Sequence, residues 1–280
     1  MIIDFHTHVF PAYFRDRREG FFENEPAFKS LYAHPSSKLV GCEDLLKHMD
    51  EKGIHKAVIF GFPWEKEDHF RRHNDYILES IQRYPERFVG FCCFSPLSPK
   101  GPREAERCLQ SGLSGIGELA LYDSDLPPAA FRDVMNVALR YDRPILIHTN
   151  EPVGHVYPGK APITLSSLYT LLKAFPDNKV VLAHWGGGIF FYGIMKKEVR
   201  EVFKNTWFDT AASPYLYSPD IYRLACEILG PERFLLGSDY PLLTPERYLK
   251  EMDEAGISEQ CREQIAGLNA ARLLGISSSR

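Results

Sequence analysis

Histidine and carboxylate side chains stand at the ends of several short apolar segments of this sequence. His6 and His8 follow the first such segment, and in an extended chain a spacing of two residues directs both imidazoles to the same side. Two imidazoles on one side can bind one metal ion together. An isolated His-x-His pair is weak evidence for a metal site, because histidine is also common in other roles.

Further histidines and carboxylates end later apolar segments, and together with the first pair they give four imidazoles and two carboxylates: His6, His8, Glu118, His148, His184 and Asp239. Burying so many polar groups without partners would cost about 1 to 3 kcal/mol each, and a divalent cation would offset that cost. For Asp239 the alternative is an N-cap, but Thr244-Pro245 is the better helix start. We therefore expect a metal site.

These residues can meet only if the segments before them are neighbouring strands. Eight β-rich apolar runs recur along the chain: 2–5, 56–60, 88–94, 115–119, 144–147, 180–183, 207–209 and 234–236. Segments with helical spacing lie between most of them: 43–52, 68–84, 103–110, 129–141, 166–175, 219–229 and 245–255. Glycine or proline stands where several of these helices should end, as at Gly53 and Pro176.

Eight strand–helix units predict an α/β fold of the (β/α)8 barrel type, because parallel strands need crossover helices and eight of them complete a ring. We expect a single domain over residues 1–280. A doubly wound open sheet is the alternative, but no GxGxxG motif follows the first strand. In such barrels the reactive residues stand at the carboxyl ends of the strands, which is where the six residues lie.

Residues 10–42, between the first strand and the first helix, are far more than a usual βα loop contains. An insertion at this face of a barrel is commonly a lid or a wall of the active site, and a merely decorative surface loop is the alternative. Its aromatic residues favour packing over disorder: Phe14, Phe21, Phe28 and Tyr32 among them.

The composition limits the classes of partner. A formal net charge of −4 offers no excess of positive charge for nucleic acid or an anionic membrane. No segment approaches the roughly 18 apolar residues of a membrane span, so we expect a cytoplasmic protein. The six cysteines include the adjacent pair Cys92 and Cys93 and form no CxxC motif, which favours buried thiols over disulfides or a cysteine zinc site.

The motifs resemble those of the amidohydrolase superfamily, and more closely the amidohydrolase 2 family, which includes aminocarboxymuconate-semialdehyde decarboxylase-like proteins. The resemblance covers essentially the whole chain. It rests on Asp4-Phe5-His6-Thr7-His8, Ile147-His148, Ala183-His184-Trp185-Gly186-Gly187-Gly188, Gly237-Ser238-Asp239-Tyr240-Pro241 and Asn269-Ala270-Ala271-Arg272-Leu273-Leu274-Gly275.

This resemblance implies a zinc or similar divalent ion, with manganese as an alternative, held by His6, His8, His148 and Asp239. It also implies that Asp239 carries protons and that His184 polarises a substrate carbonyl. Glu118 departs from the decarboxylase branch and resembles the GxGE segment of TatD-like hydrolases, where the glutamate binds metal. That departure favours hydrolysis, and it allows a second ion with His148 and His184 as its ligands.

We therefore expect a metal-dependent hydrolase that cleaves an amide, ester or lactone bond of a small molecule with a metal-activated water. The alternative is a metal-dependent, non-oxidative decarboxylase of an aromatic or enoic acid. A catalytically silent, ligand-binding barrel is a third interpretation. Four residues in loops after the strands are candidates for substrate binding: Trp64, Asn150, His155 and Tyr157. A homodimer is possible, and the remaining histidines are assigned to the surface: His34, His48, His55, His69 and His73.

Overall fold

The structure is a computed structural model that describes residues 1–277. Its strands are all parallel and pair with one another in chain order, from β1 with β2 to β7 with β8. They are β1 Ile3–His8, β2 Lys56–Phe60, β3 Phe88–Cys92, β4 Gly115–Leu119, β5 Ile145–Ile147, β6 Val180–Leu182, β7 Thr206–Asp209 and β8 Phe234–Leu235. Each strand overlaps one of the eight apolar runs of the sequence.

Backbone hydrogen bonds between β1 and the residues that follow β8 close the ring. The N–H of Phe5 donates to the carbonyl of Leu236 at 2.7 Å, and the N–H of His8 donates to the carbonyl of Tyr240 at 2.8 Å. The predicted (β/α)8 barrel is therefore confirmed, and the carboxyl ends of all eight strands face one mouth.

Helices lie between the strands and after the last one. They are α1 Ala12–Arg15, α2 Pro26–Tyr32, α3 Cys42–Lys52, α4 Glu67–Arg83, α5 Gly101–Gln110, α6 Pro128–Arg140, α7 Leu165–Ala174, α8 Lys197–Val202, α9 Ser213–Leu216, α10 Asp220–Leu229, α11 Pro245–Glu254, α12 Glu259–Glu263 and α13 Asn269–Leu274. A π-helical turn, Gln264–Leu268, precedes α13. No helix within residues 1–277 is both long enough and apolar enough to cross a membrane.

The insertion between β1 and α3 folds onto the barrel. It contains α1, a short 3-10 turn at Arg18–Phe21 and α2. Phe14, Phe21 and Phe28 are buried and surround the indole of Trp64, whose ring centroid lies 4.5 Å from those of Phe14 and Phe28. The aromatic residues of the insertion thus pack as predicted, and their contacts hold in place a segment that contains no strand.

One surface assignment is wrong. His73 is only 1% exposed, because its Nε2 donates to the carbonyl of Val9 at 2.7 Å and its Nδ1 accepts from the indole N–H of Trp64 at 2.9 Å. The spacing of Phe70, His73 and Ile77 placed it on the buried face of α4, a signal that the surface assignment overlooked. His73 thus joins α4 to the residue after β1 and to the loop that carries Trp64.

Candidate metal centre

Two histidines of β1 and two carboxylates meet at the mouth of the barrel. The Nε2 atoms of His6 and His8 lie 3.2 Å apart, and Asp239 Oδ1 lies 3.6 Å from the first and 3.3 Å from the second. Glu118 Oε2 lies 3.6 Å from His6 Nε2 and 3.7 Å from His8 Nε2. Ligand atoms bound to one ion at about 2.1 Å lie roughly 3.0 to 3.4 Å apart, so these separations suit a shared cation.

The outer nitrogens of the two imidazoles already have partners. His6 Nδ1 lies 2.8 Å from Asp209 Oδ2, and His8 Nδ1 lies 3.2 Å from the carbonyl of Gly61. Both partners are acceptors, so in the neutral imidazoles each Nδ1 carries the proton and each Nε2 presents a lone pair. Two lone pairs and two carboxylate oxygens that face one another repel unless a positive charge lies between them.

The other two histidines contact the opposite oxygen of Glu118. Glu118 Oε1 lies 3.0 Å from His148 Nδ1 and 3.5 Å from His184 Nε2. The second nitrogen of each ring meets a backbone carbonyl at 3.0 Å, that of Gly159 for His148 and that of Ala211 for His184. The structure therefore places Glu118 between two pairs of histidines.

The sequence prediction grouped His148 with His6, His8 and Asp239. Within residues 1–277, two sets of possible metal ligands have their donor atoms within 4.8 Å of one another: His6, His8 and Asp239, and His6, Glu118 and His184. Five of the six predicted ligands belong to these sets. His148 belongs to neither set: its ring nitrogens contact Glu118 and the carbonyl of Gly159, and its ring lies beside those of Tyr122 and His184, with centroids 5.2 and 5.0 Å away.

In the protein without a metal ion, this arrangement shifts the pKa values of His6 and Glu118 so that both side chains are charged. Burial lowers the pKa of His6, but the carboxylates of Asp209, Glu118 and Asp239 outweigh burial and raise that pKa to about 10. Burial would raise the pKa of Glu118, yet the neighbouring imidazoles hold it well below its usual range. The carboxylates of the centre therefore stabilise a positive charge, which the imidazolium of His6 provides in the absence of a metal ion.

The backbone is unusual where two of these side chains leave it. His184 and Asp239 adopt positive φ angles of 55° and 60°, a conformation that residues other than glycine rarely adopt. Just before Glu118, Gly117 has a φ of 134°, and a Cβ there would lie 2.4 Å from the carbonyl oxygen of Leu146. Such conformations cost free energy and occur preferentially at functional sites.

Two buried aspartates support the centre and were missed by sequence reasoning. Asp209 holds His6 through Oδ2, while its Oδ1 accepts from the backbone N–H groups of His184 at 2.9 Å and Ala211 at 3.0 Å. Asp4 accepts from the backbone N–H of Ser238 at 2.9 Å and from its hydroxyl, which links β1 to the segment after β8. A signal existed for Asp209, because it ends β7 just as the ligands end other strands.

A cavity of about 320 Å³ opens onto the centre. Its floor includes His8, Glu118, His148, His184 and Asp239. Its walls come largely from the insertion and from the loops after β2, β4 and β8: Leu31, Tyr32, Ser36, Ser37, Lys38, Phe62, Tyr122, Pro241 and Leu242. The carboxylates thus stand beneath a small chamber with largely apolar and phenolic walls.

The four residues predicted to bind substrate do not line this cavity. Trp64 is buried among the phenylalanines of the insertion, and Asn150 Oδ1 accepts from the backbone N–H of Ala161 at 2.8 Å. Tyr157 donates its hydroxyl hydrogen bond to Glu151 at 2.8 Å, and the ring of His155 packs beside that of Tyr157. Their place after a strand was evident from sequence, but the direction of each side chain was not.

A (β/α)8 barrel with a histidine and carboxylate centre at its strand ends defines a class of metal-dependent barrel enzymes. Within that class, a family model described as amidohydrolase matches residues 3–276. The chain therefore belongs to the amidohydrolase 2 family, as its motifs indicated.

Two relatives that match this chain over most of its length are decarboxylases. The γ-resorcylate decarboxylases of Rhodococcus jostii RHA1 and Polaromonas sp. JS666 are 25% and 22% identical to this chain, and the matches cover 85% and 86% of it and 88% and 90% of those proteins. The solved structure of 5-carboxyvanillate decarboxylase from Sphingomonas paucimobilis is 21% identical and superposes with a TM-score of 0.75 over 99% of both chains. That likeness shows a shared fold.

These comparisons contradict the prediction of a hydrolase. The two γ-resorcylate decarboxylases, which match most of the chain, are named for loss of a carboxyl group, so the decarboxylase alternative is the better interpretation. Glu118 misled the prediction because a glutamate at the end of β4 was taken as a sign of hydrolysis. Its contacts with four histidines are compatible with either chemistry, because a carboxylate that orients imidazoles does not itself select the reaction.

Proposed function

We propose that this protein is a metal-dependent, non-oxidative decarboxylase of a small aromatic acid. The observation that carries the proposal is the small apolar and phenolic cavity directly above a cluster of imidazoles and carboxylates. The sequence similarity of this chain to γ-resorcylate decarboxylases, which extends over most of both chains, supports the same reaction. The proposed insertion lid fits this function, because Leu31, Tyr32 and Lys38 of the insertion form part of the cavity wall.

The side chains fit a divalent cation. His6 and His8 direct Nε2 lone pairs toward one point, and Asp239 and Glu118 add carboxylate oxygens at 3.3 to 3.7 Å from those nitrogens. We propose one ion held by these four residues. A mixed imidazole and carboxylate set suits zinc and manganese alike. Manganese is supported by a dihydroxybenzoic acid decarboxylase from Polaromonas sp. JS666 whose structure, with a TM-score of 0.73 and 19% identity over 99% of this chain, contains it.

The bound ion would supply positive charge that holds an anionic substrate oxygen and draws electron density away from the ring. The chain supplies the surroundings of that ring. Leu31, Phe62 and Leu242 present apolar surface that packs against an aromatic ring and displaces water from it. A carboxylate removed from water is less well solvated, and its loss as neutral carbon dioxide is then easier.

The reaction also needs a proton donor. When the bond between the ring carbon and the carboxyl carbon breaks, the electron pair stays on the ring carbon, which must then accept one proton. We assign this proton to Nε2 of His184, which lines the cavity while its Nδ1 donates to the carbonyl of Ala211. Burial lowers the pKa of His184, but Glu118 and Asp239 outweigh burial and raise it to about 8.

The test is an assay of purified protein with 2,6-dihydroxybenzoate and 5-carboxyvanillate, loaded in turn with manganese and zinc. We expect one carbon dioxide per substrate consumed, loss of activity with a chelator, and recovery with the metal. The His184→Asn variant should bind metal normally and lose at least 100-fold in kcat, a typical size for a proton donor. Substrate cleavage without carbon dioxide would refute the proposal.

The number of ions is tested separately by elemental analysis of the loaded protein. One ion per chain is expected, which leaves His184 free to carry a proton. Two ions per chain would instead assign His148 and His184, which both contact Glu118 Oε1, to a second ion and would overturn the proton assignment.

A further inference from the structure

The described residues that line the cavity include one cationic side chain, Lys38. Glu118 and Asp239 place two negative charges at the floor, where the proposed metal ion offsets them. Lys38 belongs to the wall that the insertion forms. It thus lies at the cavity without being part of the metal centre.

The backbone that carries Lys38 is held in place while its side chain is free. Arg18 donates a hydrogen bond from Nη1 to the carbonyl of Ser37 at 2.9 Å, and the hydroxyl of Ser37 donates to the carbonyl of Leu31 at 2.9 Å. Within residues 1–277 the Lys38 side chain makes no hydrogen bond or ion pair. A fixed turn therefore carries an exposed, unpaired lysine that lines the cavity.

Hydrogen-bond donors surround the same chamber. Tyr32 and Tyr122 both line it, and neither hydroxyl has a hydrogen-bond partner among the described residues. Burial raises the pKa of both phenols, so both remain protonated and can donate. Beside the apolar side chains of Leu31 and Phe62, the cavity wall thus carries two hydrogen-bond donors and the positive charge of Lys38.

We propose that Lys38 pairs with a second anionic substituent of the substrate, so that the enzyme prefers aromatic dicarboxylates to monocarboxylates. The inference rests on the proposed decarboxylase function, because it takes the first carboxylate to be the one that is lost. The cavity volume of about 320 Å³ lies near the lower end of ligand sites, which span roughly 300 to 1,000 Å³, and limits the ligand to a single substituted ring.

The first experiment compares the metal-loaded wild type with Lys38→Met and Lys38→Arg, using 5-carboxyvanillate as the dicarboxylate and 2,6-dihydroxybenzoate as the monocarboxylate. We expect Lys38→Met to raise KM for the dicarboxylate about tenfold with kcat unchanged, because one pairing of charges is removed. Lys38→Arg should restore most of the affinity. KM for the monocarboxylate should stay within twofold in both variants.

Lys29→Met is the matched control, since Lys29 is an exposed lysine of the same insertion that does not line the cavity. It should leave both substrates unaffected. Equal losses for both substrates in Lys38→Met, or no loss for either, would overturn the role of Lys38.

Binding separates this inference from the proposed reaction. Isophthalate and benzoate differ by one carboxylate, and their affinities for the metal-loaded protein can be measured by calorimetry whether or not either compound reacts. We expect the wild type to bind isophthalate about tenfold more tightly than benzoate and Lys38→Met to lose that preference. Equal affinities in the wild type would refute the inference, even if carbon dioxide is released from another acid.

Discussion

His6 depends on a carboxylate from a distant strand for its orientation. Asp209 Oδ2 lies 2.8 Å from His6 Nδ1, and both side chains are fully buried. A carboxylate in this position fixes the ring and its tautomer and makes the opposite nitrogen a better ligand. Asp209 also holds the backbone N–H of His184, so one residue sets the positions of two histidines.

We predict that Asp209→Asn weakens metal binding about 10- to 100-fold, the usual effect of removing such a partner. Equilibrium dialysis of the variant against zinc or manganese measures this change. Asp123→Asn is the control, since Asp123 is exposed and lies outside the centre. Unchanged affinity in Asp209→Asn would show that His6 is oriented without this contact.

A second residue prediction concerns the stability of the fold at low pH. Burial lowers the pKa of His73 from 6.5 to about 3, and the ring is neutral where Trp64 donates to it. Between these two values the unfolded chain binds a proton that the folded chain does not, so stability falls as the pH drops below 6.5. The slope for one proton is about 1.4 kcal/mol per pH unit.

Between pH 7 and pH 5, the wild type should therefore lose about 2 kcal/mol more unfolding free energy than His73→Gln. Urea denaturation at both pH values gives the comparison, in which the other titrating groups are common to both proteins. Parallel losses in the two proteins would mean that His73 is protonated in the folded state as readily as in the unfolded chain.

At the scale of elements, a buried carboxylate adds to the aromatic contacts that attach the insertion to the barrel. Glu25 precedes α2, is 1% exposed, and accepts from the backbone N–H groups of Glu65 at 3.0 Å and Lys66 at 3.1 Å. It also contacts His69 Nδ1 at 2.7 Å. Because α2 ends in Leu31 and Tyr32, this attachment places two residues of the cavity wall.

We predict that Glu25→Ala makes residues 10–42 more sensitive to limited proteolysis and lowers kcat/KM at least tenfold while metal content stays constant. The reason is that two backbone N–H groups and His69 lose their carboxylate acceptor, and a hydrogen bond to a charged group contributes about 1.5 to 3 kcal/mol. Glu23→Ala, an exposed neighbour, is the control and should resemble the wild type. A proteolysis pattern identical to that of the wild type would exclude this anchoring role.

The strands were predictable from sequence because their cores are runs of apolar, β-forming residues. The run 56–60 coincides with β2, and the run 115–119 coincides with β4. Prediction from local sequence pattern failed where contacts between distant parts of the chain determine the backbone conformation. After β6, Trp185 and Gly186 adopt positive φ angles of 60° and 61°, and the resulting compact turn has no periodic signature.

The same distinction explains the candidate site. The ligand-type residues were found because the carboxyl ends of parallel strands meet at one face, whatever the details of packing. Asp209, Tyr32 and Lys38 were missed because their roles depend on which way a side chain points and on how the insertion folds over the mouth. Trp64 shows the reverse case, since it follows a strand but is buried under that insertion.

At the scale of the whole molecule, the metal centre gathers side chains from separate parts of the ring. His6 and His8 come from β1, Glu118 from β4, and Asp239 from the segment after β8. Asp4 of β1 also links the first strand to the segment after β8, because it accepts hydrogen bonds from Ser238. The proposed ion, held by these side chains, would therefore join the first strand, the middle of the barrel and the segment after the last strand.

Metal binding should consequently stabilise the entire fold. A ligand that binds only the folded state at 100 times its dissociation constant adds about 2.7 kcal/mol of stability. For the wild type we predict a thermal midpoint at least several degrees higher with saturating metal than with chelator, measured by calorimetry at pH 7.

Glu118→Gln should reduce this rise, because the amide lacks the negative charge that now faces His6 and His8. Glu106→Gln, outside the centre, should keep the full rise. If chelator left the midpoint of the wild type unchanged, the imidazoles and carboxylates at the mouth would not be holding a structural cation between the first and last strands.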